Sequence, residues 1–348
     1  MKRVREHPPH KLVEHLDATR KYSKSVEGLE QALIDAVSCL SNVTNFTADW
    51  WDLAPAQHLQ SFLPAAWSAF GANLQTLSLG GNLESIRTLV ASSTRLCALR
   101  ELRLEFTNNI LRTDDIADMA TLVNVIAPFI NELSPTLQDL SISSWASIDL
   151  SSFFLKMGMF PHLQQFSVRV PFNKAFSADP SGFTLFLRNH SFTLRHVALR
   201  LNPSGSMIDP SSEETLSQWM ALTGSDNLIL ANLQSFQMYP TMLPMGFQAF
   251  MAYLGRSADT LTTLTVRDRY LTFNEVDTLV STFVHRPAAS RLKTLRLNVR
   301  TLSPRLIDLF AAKLPVLHRL TLFIGEGWRD ENNEDIEGSS SIVRLSRC

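Results

Sequence analysis

An apolar pattern that recurs along most of the chain constrains its fold more than any other feature. The clearest copy runs from Leu74 to Asn82 and fits the spacing L-x-x-L-x-L-x-x-N at every position. Leucine supplies 52 of the 348 residues, about 15%, which is well above ordinary usage. An excess of leucine at fixed spacing indicates that the chain is built from repeated units.

Ten further copies carry the pattern with looser chemistry: an apolar first anchor, and apolar residues three and five positions after it. Their first anchors are Val13, Val43, Leu99, Leu137, Leu163, Leu194, Leu233, Leu261, Leu292 and Leu317. The eleven anchors are separated by 25 to 39 residues, about 30 on average. An interval of this length holds one short strand and one helix.

The two apolar residues that follow each anchor are two positions apart, so both side chains lie on the same side of an extended strand. Helix starts are legible between the strands. Ser211 with Glu214 and Thr272 with Glu275 have capping-box spacing, and Ser303 precedes a proline that suits the first position of a helix. Each repeat is therefore predicted to be a strand followed by a helix.

Units of this size expose an apolar face until a neighbour covers it, so they must stack. We therefore predict an α/β leucine-rich-repeat solenoid, a horseshoe with parallel strands on its concave face and helices on its convex face. A doubly wound α/β domain also alternates strands and helices. That fold would not fix apolar residues at the same three positions of successive strands.

The repeats also set the expected domain organisation. Residues 1–10 are predicted to form a disordered basic leader, residues 11–324 a single solenoid, and residues 325–348 a disordered acidic tail. The tail is also placed to cover the open edge of the last strand. Within the solenoid, acids after Thr113 favour a longer helix that extends to about Leu133.

Charge and composition exclude several classes of protein. The chain has 32 basic and 33 acidic residues, so its net charge of −1 gives no support for binding nucleic acid through bulk charge. No apolar run approaches the 18 residues of a membrane-spanning helix. Three scattered cysteines fit neither a disulfide framework nor a thiolate zinc site. We expect an intracellular monomer, in the cytoplasm or the nucleus.

The repeats resemble the leucine-rich-repeat regions of F-box proteins, particularly the divergent sets found in fungi. The resemblance rests on the irregular repeat length, on repeat ends such as the segment from Leu314 to Leu322, and on the scarcity of the asparagine seen at Asn82. It implies a ribonuclease-inhibitor-like horseshoe. It also implies that the repeats select a substrate for a cullin ubiquitin ligase, whose adaptor binds an N-terminal F-box.

The chain departs from that family where the F-box would stand. The first repeat starts at Val13, and the nearest Leu-Pro pair, Leu63 and Pro64, lies in a helical stretch after the second repeat. Binding of the ligase adaptor is therefore expected only if an F-box precedes this sequence. The alternative is a repeat-only scaffold or inhibitor that binds a protein on its concave face and has no connection to ubiquitination.

Motifs that carry catalysis or bind cofactors are absent from the sequence, including the phosphate-binding, dinucleotide-binding, zinc-protease and nucleophile-elbow patterns. His7, His10 and His15 cluster, but Pro8 and Pro9 keep them from sharing a helix face. We therefore expect no enzyme, no cofactor and no metal. Trp50 and Trp51 form a conspicuous pair, in which Trp50 is expected to pack in the core and Trp51 on the strand edge. The alternative is an exposed anchor for a partner.

The residues two, four and six positions after each first anchor should line the concave face. The first five repeats place five acids and one base there, whereas the last six place five arginines and no acid. The alternative is a solvated face whose charges have no partner. The binding interpretation predicts a protein partner with an acidic segment. The candidate partner-binding residues are Arg169, Arg200, Tyr239, Arg267, Arg296, Arg319 and Phe323.

Overall fold

A computed structural model describes a sheet with helices on one side. It covers residues 28, 31–50, 59–91, 96–107, 115–144, 150–170, 179, 181–200, 230–239, 244–284, 291–325, 328–329, 335–336 and 341–346. The large sheet has eleven strands, and its first ten follow one another in chain order. The predicted first repeat at Val13, the leader 1–10 and the helix start at Ser211 lie outside the described residues.

The strands and helices alternate as the repeats predict. The strands are β1 (Asn45–Trp50), β2 (Thr76–Gly81), β3 (Glu101–Phe106), β4 (Asp139–Ser144), β5 (Gln165–Arg169), β6 (His196–Arg200), β7 (Ser235–Tyr239), β8 (Thr263–Leu271), β9 (Thr294–Val299), β10 (Arg319–Ile324), β11 (Trp328–Arg329), β12 (Asp335–Ile336) and β13 (Ser341–Ser346). The α-helices are α1 (Leu59–Phe70), α2 (Leu83–Ala91), α3 (Asp115–Thr121), α4 (Ala127–Glu132), α5 (Ser151–Lys156), α6 (Ser181–Asn189), α7 (Pro244–Ser257), α8 (Phe273–Val284) and α9 (Pro304–Lys313).

Neighbouring strands from β1 to β10 are parallel and keep the same repeat positions side by side. Leu77, Leu102 and Leu140 are direct partners in β2, β3 and β4. The register shifts within the pairing of β8 and β9, between Val266 and Leu271. Parallel strands that add one per repeat give a solenoid-like α/β fold, as predicted.

A backbone ladder fixes this register at the entrance to each strand. The carbonyl of Gln75 accepts hydrogen bonds from the N–H groups of Arg100 and Glu101, at 2.8 and 3.0 Å. The carbonyl of Arg100 accepts from the next repeat in the same way, and the pattern continues to Arg319. Because each repeat satisfies the backbone of the next, the strands stack without slipping.

Side chains alternate along the strands as the period of two requires. In β3, Leu102, Leu104 and Phe106 are buried, whereas Arg103 between them is exposed. The buried side chains pack with those of the helices into one continuous core. The predicted division into a core side and an open side is therefore confirmed in β3 to β6, in β9 and in β10.

Two predicted helix starts are confirmed in detail. Glu275 accepts hydrogen bonds from the backbone N–H and the hydroxyl of Thr272, at 2.9 and 3.1 Å, and from Arg269 at 2.5 Å. Ser303 accepts from the backbone N–H of Leu306 at 3.3 Å and precedes Pro304, the first residue of α9. These side chains satisfy the N–H groups that a helix leaves free at its start.

The helix predicted from Thr113 to Leu133 is interrupted. A π-helical turn, Leu122–Ile126, separates α3 from α4. Pro128 has no N–H to donate to the preceding turn, and the N–H of Ala127 donates instead to the carbonyl of Leu122, five residues back. The proline therefore explains the wider turn.

Helices α5 and α6 approach each other closely at a glycine. A Cβ atom on Gly182 would overlap the carbonyl oxygen of Ser151 and touch Leu155. The same pair of helices carries the largest cluster of aromatic side chains, in which Phe154 contacts Phe183 at 5.2 Å between ring centroids. A side chain at position 182 would separate these rings.

The C-terminal segment differs from the disordered tail expected over 325–348. Strand β13 pairs antiparallel with β10, from Arg319 opposite Ser346 to Ile324 opposite Ser341. The short strands β11 and β12 pair with each other. The chain therefore returns to cover the outer edge of β10 with a strand of opposite direction. In the described parts of the chain, no helix is long and apolar enough to cross a membrane.

Candidate partner-binding face of the sheet

The side of the sheet that faces away from the helices is the open face. It is formed by the residues two, four and six positions after each first anchor, which make three rows across the strands. In β6, for example, His196, Ala198 and Arg200 are partly exposed on this face, whereas Val197 and Leu199 are buried on the other. All predicted partner-binding residues whose side chains are described lie in these rows.

The N-terminal half of the open face is acidic. Asp49, Glu101, Glu105 and Asp139 lie on it, and we call them the acidic patch. Glu101 and Asp139 are direct partners on adjacent strands, and Arg103 forms an ion pair with Glu101. The described positions of β1 to β4 on this face thus carry four acids and one base.

The C-terminal half of the open face is basic. We call its five arginines, at positions 169, 200, 267, 296 and 319, the arginine patch. Arg169 and Arg200 are direct partners in β5 and β6, and the backbone of Tyr239 is the next partner of Arg200. The side chain of Tyr239 lies outside the description. The described positions of β5 to β10 on this face carry no acid.

An aromatic ring organises one part of the arginine patch. The guanidinium carbons of Arg296 and Arg267 lie 4.7 and 5.4 Å from the centre of the Phe323 ring. Phe323 is the register partner of Asn298 on β9, so its ring contacts cations from both β8 and β9. Contact with the ring restrains both guanidinium groups and limits the entropy that they lose on binding an anion.

A depression of about 350 Å³ lies across the open face from β3 to β7, and we call it the trough. Its floor is formed where three consecutive repeats place small side chains in the middle row, at Ser141, Ser167 and Ala198. Longer side chains, Arg103 and Gln237, stand at its two ends in the same row. The difference in side-chain length therefore makes the trough.

Polar side chains line one long wall of the trough. Asp139, Gln165 and His196 are consecutive partners on β4, β5 and β6. Sequence reasoning placed these residues on the open face but missed the trough. The signal that would have found it is the run of small residues between Arg103 and Gln237.

Two residues that line the trough, Asp139 and His196, have displaced pKa values. Desolvation is the larger cause and repulsion from Glu101 the smaller one that together raise the pKa of Asp139 to about 6. The charge of Arg103 acts in the opposite direction. Desolvation, together with repulsion from Arg195, lowers the pKa of His196 below its usual 6.5. At neutral pH Asp139 is charged and His196 is neutral, so Glu101, Arg103, Asp139 and His196 sum to one negative charge.

The histidines were predicted to be poor candidates for a metal site. His7, His10 and His15 lie outside the described residues, as does Trp51. Across the parts of the chain that the structure describes, no three His, Cys, Asp or Glu side chains are placed to hold a metal ion. His190 is buried and hydrogen-bonded to the backbone of two repeats, which is a structural role.

Comparison with known proteins yields matches to solved structures alone. No family model and no curated protein matches the chain. Solved structures do match, and one is the crystal structure of the Rad7 and Elc1 complex in yeast. The two are 15% identical, the match covers 91% of this chain and 92% of the other, and the TM-score is 0.35. Similarity at this level does not bear on function.

Proposed function

We propose that the protein is a non-catalytic interaction module that binds an acidic segment of a protein partner on the open face. The observation that carries the proposal is the placement of five arginines, without an acid, at the described open-face positions of β5 to β10. Arginine suits such a surface because its planar group binds carboxylates through two hydrogen bonds. The acidic patch at the other end disfavours partners of uniform negative charge.

The shape that best accommodates this role is a leucine-rich-repeat horseshoe with the open face on its concave side. Stacked repeats create extended binding surfaces that follow the curvature of the solenoid. A segment that runs across the strands would pass from the arginines of β5 and β6 to the cluster of Arg267, Arg296 and Phe323. Four strand spacings separate β6 from β10, about 19 Å, so about six extended residues span this distance.

The experiment measures binding of a defined acidic probe to the full chain. The probe is a fluorescein-labelled peptide with six glutamates separated by glycine and serine. Its anisotropy should rise on titration with the protein. The triple variant Arg200→Glu, Arg267→Glu, Arg296→Glu should lose binding by at least about tenfold, because three attractive charges become repulsive.

A matched control separates the patch from the net charge of the protein. Lys156, Arg188 and Arg291 are exposed cations that lie outside the strands. Their reversal to glutamate changes the net charge by the same amount and should leave most of the affinity in place. Equal losses in both triple variants, or no binding to the wild-type protein, would contradict the proposal.

We further propose substrate recognition for a cullin ubiquitin ligase as the setting of this binding, on the resemblance of the repeats to those of F-box proteins. The test is co-purification of the full-length gene product with the ligase adaptor. Capture of the adaptor would favour this setting. Binding of the acidic probe without the adaptor would favour a repeat-only scaffold or inhibitor.

A further inference from the structure

The trough lies where the acidic patch meets the arginine patch. Among the described positions of the open face, Asp139 on β4 is the last acid, and Arg169 on the next strand is the first residue of the arginine patch. The trough crosses this boundary from Arg103 on β3 to Gln237 on β7. A segment that leaves the trough towards β8 therefore passes from the acidic patch, at Asp139, to the arginine patch.

We propose that the trough receives a basic side chain, lysine or arginine, of the same segment whose acidic part binds the arginine patch. This inference rests on the proposed function and adds a second, opposite charge to the partner. The bound segment is then bipolar: its basic residue pairs with Asp139, and its acidic residues lie over β6 to β9.

The surroundings of Asp139 favour a cation over other occupants. Its carboxylate stands directly opposite Glu101 and is half-buried. Among the described residues, no side chain donates a hydrogen bond to it, and the guanidinium of Arg103 is ion-paired with Glu101. An arriving ammonium or guanidinium group gives the Asp139 carboxylate a partner and relieves its repulsion with Glu101.

The size and polarity of the trough match one extended side chain. A volume of about 350 Å³ is at the lower end of the range for small-molecule pockets, about 300–1,000 Å³. Its wall offers the amide of Gln165, and its floor offers the hydroxyls of Ser141 and Ser167. The aliphatic stem of a lysine fits over the small floor residues while its charged end reaches the wall.

The geometry also sets the spacing between the two charges of the partner. Asp139 on β4 and Arg200 on β6 are two strands apart, about 10 Å across the sheet, and Arg200 lies four residues further along its strand, about 13 Å. The direct distance of about 16 Å takes about five extended residues, and about seven reach Arg267 on β8. The basic residue of the partner is therefore expected five to seven positions from the nearest acidic residue.

The test adds one lysine to the acidic probe. Two peptides carry the six-glutamate run with a lysine six residues before it or six residues after it, and a matched pair carries glutamine in place of lysine. The wild-type protein should bind one lysine peptide about fivefold more tightly than its glutamine match, which corresponds to a partly exposed ion pair.

Asp139→Asn should abolish this fivefold factor and leave the affinity for the glutamine peptides unchanged, because the arginine patch is intact. Asp49→Asn is the matched control, since Asp49 is an exposed acid of the same patch three strands away and should preserve the factor. Circular dichroism verifies that both variants are folded.

The outcomes separate the two proposals. Retention of the lysine preference in Asp139→Asn, or equal binding of lysine and glutamine peptides to the wild-type protein, overturns the inference about the trough while the arginine patch stands. Failure of all four peptides to bind the wild-type protein overturns the proposed function, and the inference with it.

Discussion

The imidazole of His190 accepts a hydrogen bond at Nε2 from the backbone N–H of Phe160, at 2.9 Å, and so joins two repeats across 30 positions of sequence. Because Nε2 is the acceptor, the proton is on Nδ1, which donates to the carbonyl of Phe186 at 2.7 Å. The ring also lies 4.4 Å from that of Phe186, between centroids. His190 is thus a neutral, buried joint between the turn before β5 and helix α6.

Replacing this joint should destabilise the fold. His190→Ala leaves the N–H of Phe160 without its acceptor and removes a buried ring, at a cost of about 3 kcal/mol in the free energy of unfolding. Urea denaturation followed by circular dichroism measures the change. His318→Ala is the control, because His318 is exposed directly before β10 and its replacement should cost less than about 1 kcal/mol. Equal effects of the two substitutions would show that the joint is not structural.

The same histidine should make stability depend on pH. Desolvation lowers the pKa of His190 below its usual 6.5, although its hydrogen bond to Phe186 acts in the opposite direction. The unfolded chain therefore binds a proton as the pH falls below 6.5 while the folded chain does not, and stability is lost in that range. Urea midpoints at pH 7 and pH 5.5 should differ more for the wild-type protein than for His190→Leu. An identical pH loss in both would contradict this assignment.

Two glycines in helices should respond to alanine with opposite signs. Gly182→Ala places a Cβ against the Ser151 carbonyl and should cost about 2 kcal/mol by separating α5 from α6. Gly255 has open space around the position of a Cβ, so Gly255→Ala should stabilise α7 by up to about 1 kcal/mol. Thermal denaturation of the two variants gives the signs. Destabilisation by Gly255→Ala, or a neutral Gly182→Ala, would contradict the packing described.

The charged form of Asp139 should destabilise the folded protein. Its pKa is raised from 3.8 to about 6, so above pH 6 the folded state carries a charge that the unfolded state accommodates better. Asp139→Asn should therefore stabilise the protein by about 1 kcal/mol at pH 7.5, after allowance for solvent screening. The gain should shrink towards pH 4.5, where the carboxyl is protonated in the fold. Melting temperatures at the two pH values measure it, and loss of stability at pH 7.5 would argue against this reading.

The C-terminal strand should protect the sheet from self-association. Removal of residues 341–348 uncovers the edge of β10, whose free backbone groups can pair with another copy. Light scattering should then show species of higher mass that increase with protein concentration. Removal of residues 347–348 alone leaves β13 in place and serves as the control. A truncated chain whose mass matches that of the full chain at every concentration would contradict this role.

The sequence predicts the strands, their core side and the charge of their open side because all three follow from a period of two. Leu102 and Arg103 need only their positions in the repeat to be assigned to opposite sides. The helix starts at Thr272 and Ser303 could also be predicted from the sequence, because a capping residue and its hydrogen-bond partner are only three positions apart.

Features that depend on contacts between repeats could not be predicted in this way. His190 lies four residues before its first anchor, Leu194, where another repeat has Leu133, and its hydrogen-bond donor is 30 residues away. The trough depends on side-chain length compared across five strands. The composition of the tail predicts disorder, yet the open edge of β10 recruits its last residues into a strand.

The carbonyl groups shared between repeats fix the position of every open-face side chain, which is defined by its repeat and by its row in the strand. Since the backbone rather than the side chains sets the strand register, a substitution at one open-face position leaves the neighbouring side chains in place. A chain of this kind can change its binding specificity by single substitutions on the open face, without a change of fold. Asp139 and Arg169 are one repeat and two rows apart. Exchanging the charges at these two positions would reverse the order of basic and acidic residues in the segment that is bound.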